Sequence, residues 1–148
     1  QTGGTSGAII NADQIDMNLD IDSVSASGGR LGCGTILVID DRNCIVDIVL
    51  NNLDFFRGES CGKCTPCREG GQQLYNLVNR IAQGHGAIQD LEKIDELTET
   101  MQLTALCGLG HSTAVPVRTS IQNFRNAYLH HIDKDFCPVC SGKGGIYR

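Results

Sequence analysis

Eight cysteines carry most of the chemistry available to this sequence, and their spacing sorts them into groups. Cys61, Cys64 and Cys67 fall at C-x2-C-x2-C, and Cys107 lies 40 positions after Cys67. A loop with three thiolates at three-residue steps can wrap one face of a cubane iron–sulfur cluster and leave the fourth ligand to a remote position. Gly58, Gly62, Gly70, Gly108 and Gly110 surround these cysteines. They let backbone approach a cluster and turn amides toward its sulfides. Two other chemistries use the same residue types. Structural zinc mostly takes cysteines in pairs, so three in series with one remote fits iron–sulfur ligation better. A thioredoxin-type C-x-x-C expects a βαβ setting, which the helical pattern here lacks.

A second group lies at the C-terminus, where Cys137 and Cys140 form the C-x2-C half of a zinc site. His130 and His131 precede Cys137 by seven and six residues, and Cys44 opens the first long helical segment. If the first and last long helices are neighbours, Cys44 meets the C-terminal pair. A Cys3His set would then staple the tail to the helices, with no open coordination position. The alternatives are a Cys44 that is simply core and a CPVC that is the stub of another cluster-binding unit. Cys33, between two glycines, reads as a buried small hydrophobe. His85 and His111 read as solvent-exposed loop residues. Lys63 and Arg68 flank the cluster loop, where they offset thiolate charge or simply face water. No Ser/His/Asp set and no paired carboxylates support hydrolysis or group transfer.

The positioning elements follow from hydrophobic periodicity. Val46, Val49, Leu50 and Leu53 predict a helix over 45–57. The cysteine loop then spans 58–70. Leu74, Leu77, Val78 and Ile81 predict a second helix, stopped by Gly84 and Gly86. Leu91, Ile94, Leu97 and Met101 mark a third over about 88–103, and 107–116 reads as a loop. Val117, Ile121, Phe124 and Tyr128 mark a fourth over roughly 115–132, with Pro116 near its start. Four amphipathic helices with short links predict a four-helix bundle over 44–132. Before it, 1–43 reads as a small α+β element, incomplete at its start. Strands are expected at 6–10 and 34–40, with a helical or irregular link at 20–29. A metal-binding tail, 133–148, follows the bundle. Asp90, Glu92, Asp95, Glu96 and Glu99 read as a solvated acidic face.

The composition agrees with a folded domain, or two small ones. The chain has 148 residues, 41% of them hydrophobic and 20% charged. Twelve Lys and Arg against 17 Asp and Glu give a net charge of −5, which argues against a nucleic-acid partner. No apolar run suits a bilayer span, and no signal peptide opens the chain. The first residue is Gln1 and not Met, so a processed chain or a piece of a larger subunit is expected. Eight cysteines are too sparse for a disulfide-dense secreted protein, and metal-ligating thiolates point to a reducing compartment, the cytoplasm.

The run ESCGKCTPCREG (59–70), then CGLG (107–110), then Pro116, Phe124 and Arg125, resembles the NADH-binding flavoprotein subunit of respiratory complex I. It is equally similar to the beta subunit of NAD-dependent hydrogenases and formate dehydrogenases. The resemblance extends upstream through 28–56 and so covers nearly the whole chain. It implies a [4Fe–4S] cluster on Cys61, Cys64, Cys67 and Cys107, in a four-helix bundle that follows a β-grasp-like domain. The fold class expected is thus α+β: a β-grasp-like element, then the cluster-bearing bundle. For the second centre the resemblance favours His131 over His130, beside Cys44, Cys137 and Cys140. In hydrogenase-type relatives a ferredoxin-like extension follows that tail, which this sequence, ending at Arg148, does not show.

One departure limits what is carried over. The family's flavin- and nicotinamide-binding domain precedes these parts. TGGTSGA (2–8) lacks the strand and long helix of a dinucleotide fingerprint and reads as a plain loop. FMN and NAD(H) are therefore expected only on a missing domain or partner chain. The expected function is a one-electron relay in an NAD(H)-linked complex. Its partners would be a flavin/NADH-binding part, other iron–sulfur subunits, and a hydrogenase or formate dehydrogenase catalytic subunit. The alternative is a non-redox, zinc-stabilised interaction module.

Overall fold

The structure, a computed structural model, describes residues 1–133, 137, 139 and 140. Of the tail expected over 133–148, only Asp133, Cys137, Val139 and Cys140 fall among them. The helices are α1 (Ile21–Ala26), α2 (Ile45–Glu59), α3 (Thr65–Ala82), α4 (Ile88–Thr104) and α5 (Gly108–Ile132). Helices α2 to α5 form the bundle: α2 and α4 each pack against α3 and α5, and α3 also touches α5.

The periodic residues fill its core. Val46, Val49, Leu50 and Leu53 of α2, Leu74, Val78 and Ile81 of α3, and Ile94 and Met101 of α4 are fully buried. Each such side chain removed from water contributes about 1.5–3 kcal/mol, which is why these stripes decide the fold. Cys64 caps the start of α3 and Pro66 sits in its first turn, where no amide hydrogen is needed. Gly84, at φ +74°, ends α3. Its amide donates to the Ile81 carbonyl at 2.9 Å, and the His85 amide donates to the Arg80 carbonyl at 2.9 Å. That pair of bonds satisfies two carbonyls the helix leaves open.

Asp90 corrects the reading of a wholly solvated acidic face, because its carboxylate is buried. Its Oδ2 accepts from Arg80 Nη2 at 2.5 Å and from the Ala87 amide at 2.8 Å. It therefore locks the α3–α4 turn and caps α4. Asp90→Asn is expected to cost about 2 kcal/mol, because charged hydrogen bonds there become neutral ones. An unchanged urea midpoint in that variant would contradict the assignment.

Two boundaries moved. The cysteine loop expected over 58–70 shrinks to 60–64, because Gly58 and Glu59 belong to α2 and 65–70, Cys67 among them, form the first turns of α3. Of residues 107–116, expected as a loop, 108–116 are the first turns of α5 and Cys107 is its N-cap, so the fourth helix starts at Gly108 rather than near 115. Pro116 lies inside α5, which bends at Phe124 (φ −132°, ψ 36°). Gly110, Thr113, Ala114 and Pro116 are buried there. Packing against the bundle outweighs the poor helix propensity of Gly and Pro.

The β-grasp-like element is not seen. Among the described residues there is no strand, only an isolated antiparallel bridge between Thr2 and Ile36. The pairing of 34–40 with the N-terminus amounts to the Gln1–Leu37 and Gly3–Thr35 backbone contacts. A pair this short is below what sustains a sheet. Segment 6–10 docks instead on α5: the Ile9 amide donates to Thr119 Oγ1 at 3.0 Å, and Asn123 Nδ2 donates to the Ile9 carbonyl at 2.8 Å. The link at 20–29 holds α1, capped by Asp20, whose Oδ1 accepts from the Ser23 amide at 2.7 Å. Cys33 is also corrected. It is exposed, because Gly32 (φ +52°) and Gly34 (φ +78°) turn the chain outward on either side of it.

Candidate metal centres

Three of the ligand candidates are helix caps: Cys44 precedes α2, Cys64 precedes α3 and Cys107 precedes α5. At Cys64 the backbone amides favour a thiolate, whereas at Cys44 burial outweighs the helix start.

At one end of the bundle, the α2–α3 loop and the α4–α5 turn come together. The amides of Leu106 and of Cys67 donate to Cys64 and, with the Arg68 charge, lower its pKa. Gly110 lies against Cys67; a Cβ placed on it would sit 3.2 Å from Cys67 Cβ and 3.7 Å from its Sγ. Arg68 Nη1 donates to the Gly62 carbonyl at 2.6 Å, closing the loop where Gly62 takes φ +73°. Ser60 Oγ lies 3.3 Å from Cys67 Sγ and accepts from the Gly62 amide at 3.3 Å. Cys67 is buried, Cys64 half-buried, and Cys61 and Cys107 exposed. Lys63 is exposed, and Arg68 faces the loop, not only water. The roles of Ser60 and of the Leu106 amide were not legible beforehand, because both depend on how the loop closes.

The second group meets at a single point. Ligand atoms of Cys44, His131, Cys137 and Cys140 all lie within 4.8 Å of one another. Cys44 Sγ is 3.3 Å from His131 Nε2 and 3.8 Å from Cys137 Sγ, and Cys140 Sγ is 3.9 Å from His131 Nε2. A zinc–sulfur bond of about 2.3 Å gives a tetrahedral sulfur–sulfur edge of about 3.8 Å, so the spacing is that of a coordination shell and not of a disulfide. The packing of α2 against α5 produces it, by laying the start of one helix beside the end of the other. His131 is buried and faces the thiols, whereas His130 is exposed.

Burial pushes the Cys44 thiol up to about 11, and the charges of Cys137 and Asp47 add to that rise. Burial likewise raises the Cys140 thiol. Burial lowers the His131 pKa, which keeps the ring neutral, the form that ligates. Three thiols and a neutral imidazole fit a divalent cation, whose charge would release the thiol protons. Of the other histidines, His85 is exposed as expected, while His111 is half-buried in the first turn of α5 rather than in a loop.

Comparison with known proteins places these features in context. Residues 47–131 match the model of the NADH-ubiquinone oxidoreductase-F iron-sulfur binding region. The NADP-reducing hydrogenase subunit HndC of Solidesulfovibrio fructosivorans is 39% identical over 95% of this chain and 29% of its own length. An F-type subunit of NADH-quinone oxidoreductase from Rhizobium meliloti is 37% identical over 92% of this chain and 32% of its own. The crystal structure of an NAD+-reducing [NiFe]-hydrogenase in the H2-reduced state superimposes with a TM-score of 0.78 at 34% identity, covering 88% of this chain and 22% of that one. The chain thus spans about a third or less of the length of these relatives. No helix among the described residues is long and apolar enough to cross a membrane.

Proposed function

The chain belongs to the NADH-ubiquinone oxidoreductase-F iron-sulfur binding family, and from that premise we propose that Cys61, Cys64, Cys67 and Cys107 hold a [4Fe–4S] cluster serving electron relay. The observation that carries this reading is the meeting of the C-x2-C-x2-C loop with the α4–α5 turn, where amides of both segments support the Cys64 thiolate. A cluster bound there supplies a one-electron site between a flavin held elsewhere and further iron–sulfur centres. The chain's own work is to hold the thiolates at two helix N-termini, bury Cys67, and fix the loop through Arg68 and Ser60. The partners this reading requires are a flavin/NADH-binding domain or chain and other iron–sulfur subunits. A hydrogenase, formate dehydrogenase or quinone-reducing enzyme would be the setting, and the cytoplasm the compartment. Anaerobic purification followed by iron, acid-labile sulfide and EPR analysis tests it. Iron and sulfide in near-equal amounts with a reducible signal are expected. Stoichiometric zinc without sulfide would favour the zinc-stabilised interaction module instead.

The second reading concerns the other centre, and the 3.8 Å Cys44–Cys137 separation favours it. There Cys44, His131, Cys137 and Cys140 hold one structural zinc that ties the C-terminal segment to α2 and α5. Cys44→Ser is expected to lower zinc from about one per chain to well below half, while iron and sulfide stay unchanged. Zinc that is unchanged in this variant would rule the site out. Faster proteolysis after residue 132 in the variant, read by mass spectrometry, is the accompanying structural sign.

A further inference from the structure

A carboxylate stands beside the second centre. Asp47 Oδ2 accepts from the Cys140 thiol, with 3.8 Å between oxygen and Sγ. Asp47 sits in the first turn of α2, three residues after Cys44, which brings both to the mouth of the same site. Its charge bears on three of the four ligands, acting on Cys44, His131 and Cys140. Among the described residues no lysine or arginine forms an ion pair with Asp47. A half-buried carboxylate that lies against a ligand thiol can offer its oxygen to a metal in that thiol's place.

We infer that Asp47 is an exchangeable oxygen ligand of the second centre, occupying the metal when Cys140 leaves it. This rests on the zinc reading of that centre. Cys140 is the donor suited to leave: it is half-buried, whereas Cys44, His131 and Cys137 are buried. In the exchange one metal–sulfur bond breaks and one metal–oxygen bond forms. The departing thiolate takes a proton from water. Two thiolates and one carboxylate replace three thiolates, so the net charge of the centre is the same before and after. The C-terminal end then lets go of the metal while Cys44, His131, Cys137 and Asp47 keep it. Oxygen and sulfur donors are both within the ordinary chemistry of zinc.

The test uses the full chain carrying its iron–sulfur centre, with zinc counted by elemental analysis and its ligands by zinc-edge X-ray absorption. That edge is blind to the iron. The unmodified chain is expected to show three sulfur ligands and one nitrogen. Cys140→Ala, at a position beyond α5, is expected to keep about one zinc with two sulfur ligands. Adding Asp47→Asn to it is expected to weaken zinc at least about tenfold against a competing chelator. Asp47→Glu in the same background, which keeps the oxygen donor, is expected to retain the metal. Equal affinity in Cys140→Ala with and without Asp47→Asn would overturn the inference, as would equal loss from Asp47→Asn whether or not Cys140 is present. An unmodified chain that takes up no zinc would instead remove the zinc reading itself, and this inference with it.

Discussion

Cys107→Ala is expected to strip the chain of most of its iron and acid-labile sulfide, by roughly fivefold or more, since a cubane with three thiolate ligands leaves one iron open to solvent and oxidant. Cys107 is the ligand candidate most open to such loss. It is exposed, it comes from a different segment than the other three, and its place at the start of α5 depends on the α4–α5 turn. The fold should outlast the change, because the buried stripes of α2 to α4 do not include it. Far-UV circular dichroism close to that of the parent, alongside the lost iron and an absent EPR signal, is the expected pair of results. Iron and sulfide at parental levels in Cys107→Ala would remove Cys107 from the ligand set.

Gly110→Val is expected to destabilise the chain by about 3 kcal/mol and to lower its iron content as well. Even a single Cβ at Gly110 would lie 2.6 Å from Ala105 Cβ and 3.2 Å from Cys67 Cβ. Both neighbours are short and backbone-anchored, so neither has a flexible end that can yield. Valine adds two methyl groups to that collision, and relief requires moving the α4–α5 turn away from Cys67. Gly58→Ala is the matched control: the glycine lies within α2, is exposed, and has nothing within 4 Å of the added carbon. There the helix propensity of alanine is expected to stabilise by about 0.5–1 kcal/mol. Thermal or urea midpoints of the two variants, with iron per chain, check both signs. A Gly110→Val protein as stable as the parent would show that the two loops do not meet as closely as this geometry has them.

The helical part of this protein is written in its sequence, because local periodicity and burial there agree. Every member of the Val46–Leu53 stripe is buried, and Gly84 ends α3 through the positive φ that glycine alone accepts readily. The cluster motif is legible for a related reason: three ligands at three-residue steps need only one short segment, here a loop that runs into the first turn of α3. Pairing across the bundle is not local. Which of His130 and His131 turns inward depends on the angular phase at the end of α5, a helix that bends at Phe124 on the way. Asp47 carried no mark of its own, since a carboxylate in the first turn of a helix is ordinary capping chemistry. Only the packing of α2 on α5, and the return of Cys137 and Cys140 to that corner, makes it part of a site. The strands expected at 6–10 and 34–40 failed for the same reason in reverse. Their residues suit an extended chain, but a strand exists only where a neighbour supplies the other half of its hydrogen bonds, and here Gln1 and Gly3 supply too few.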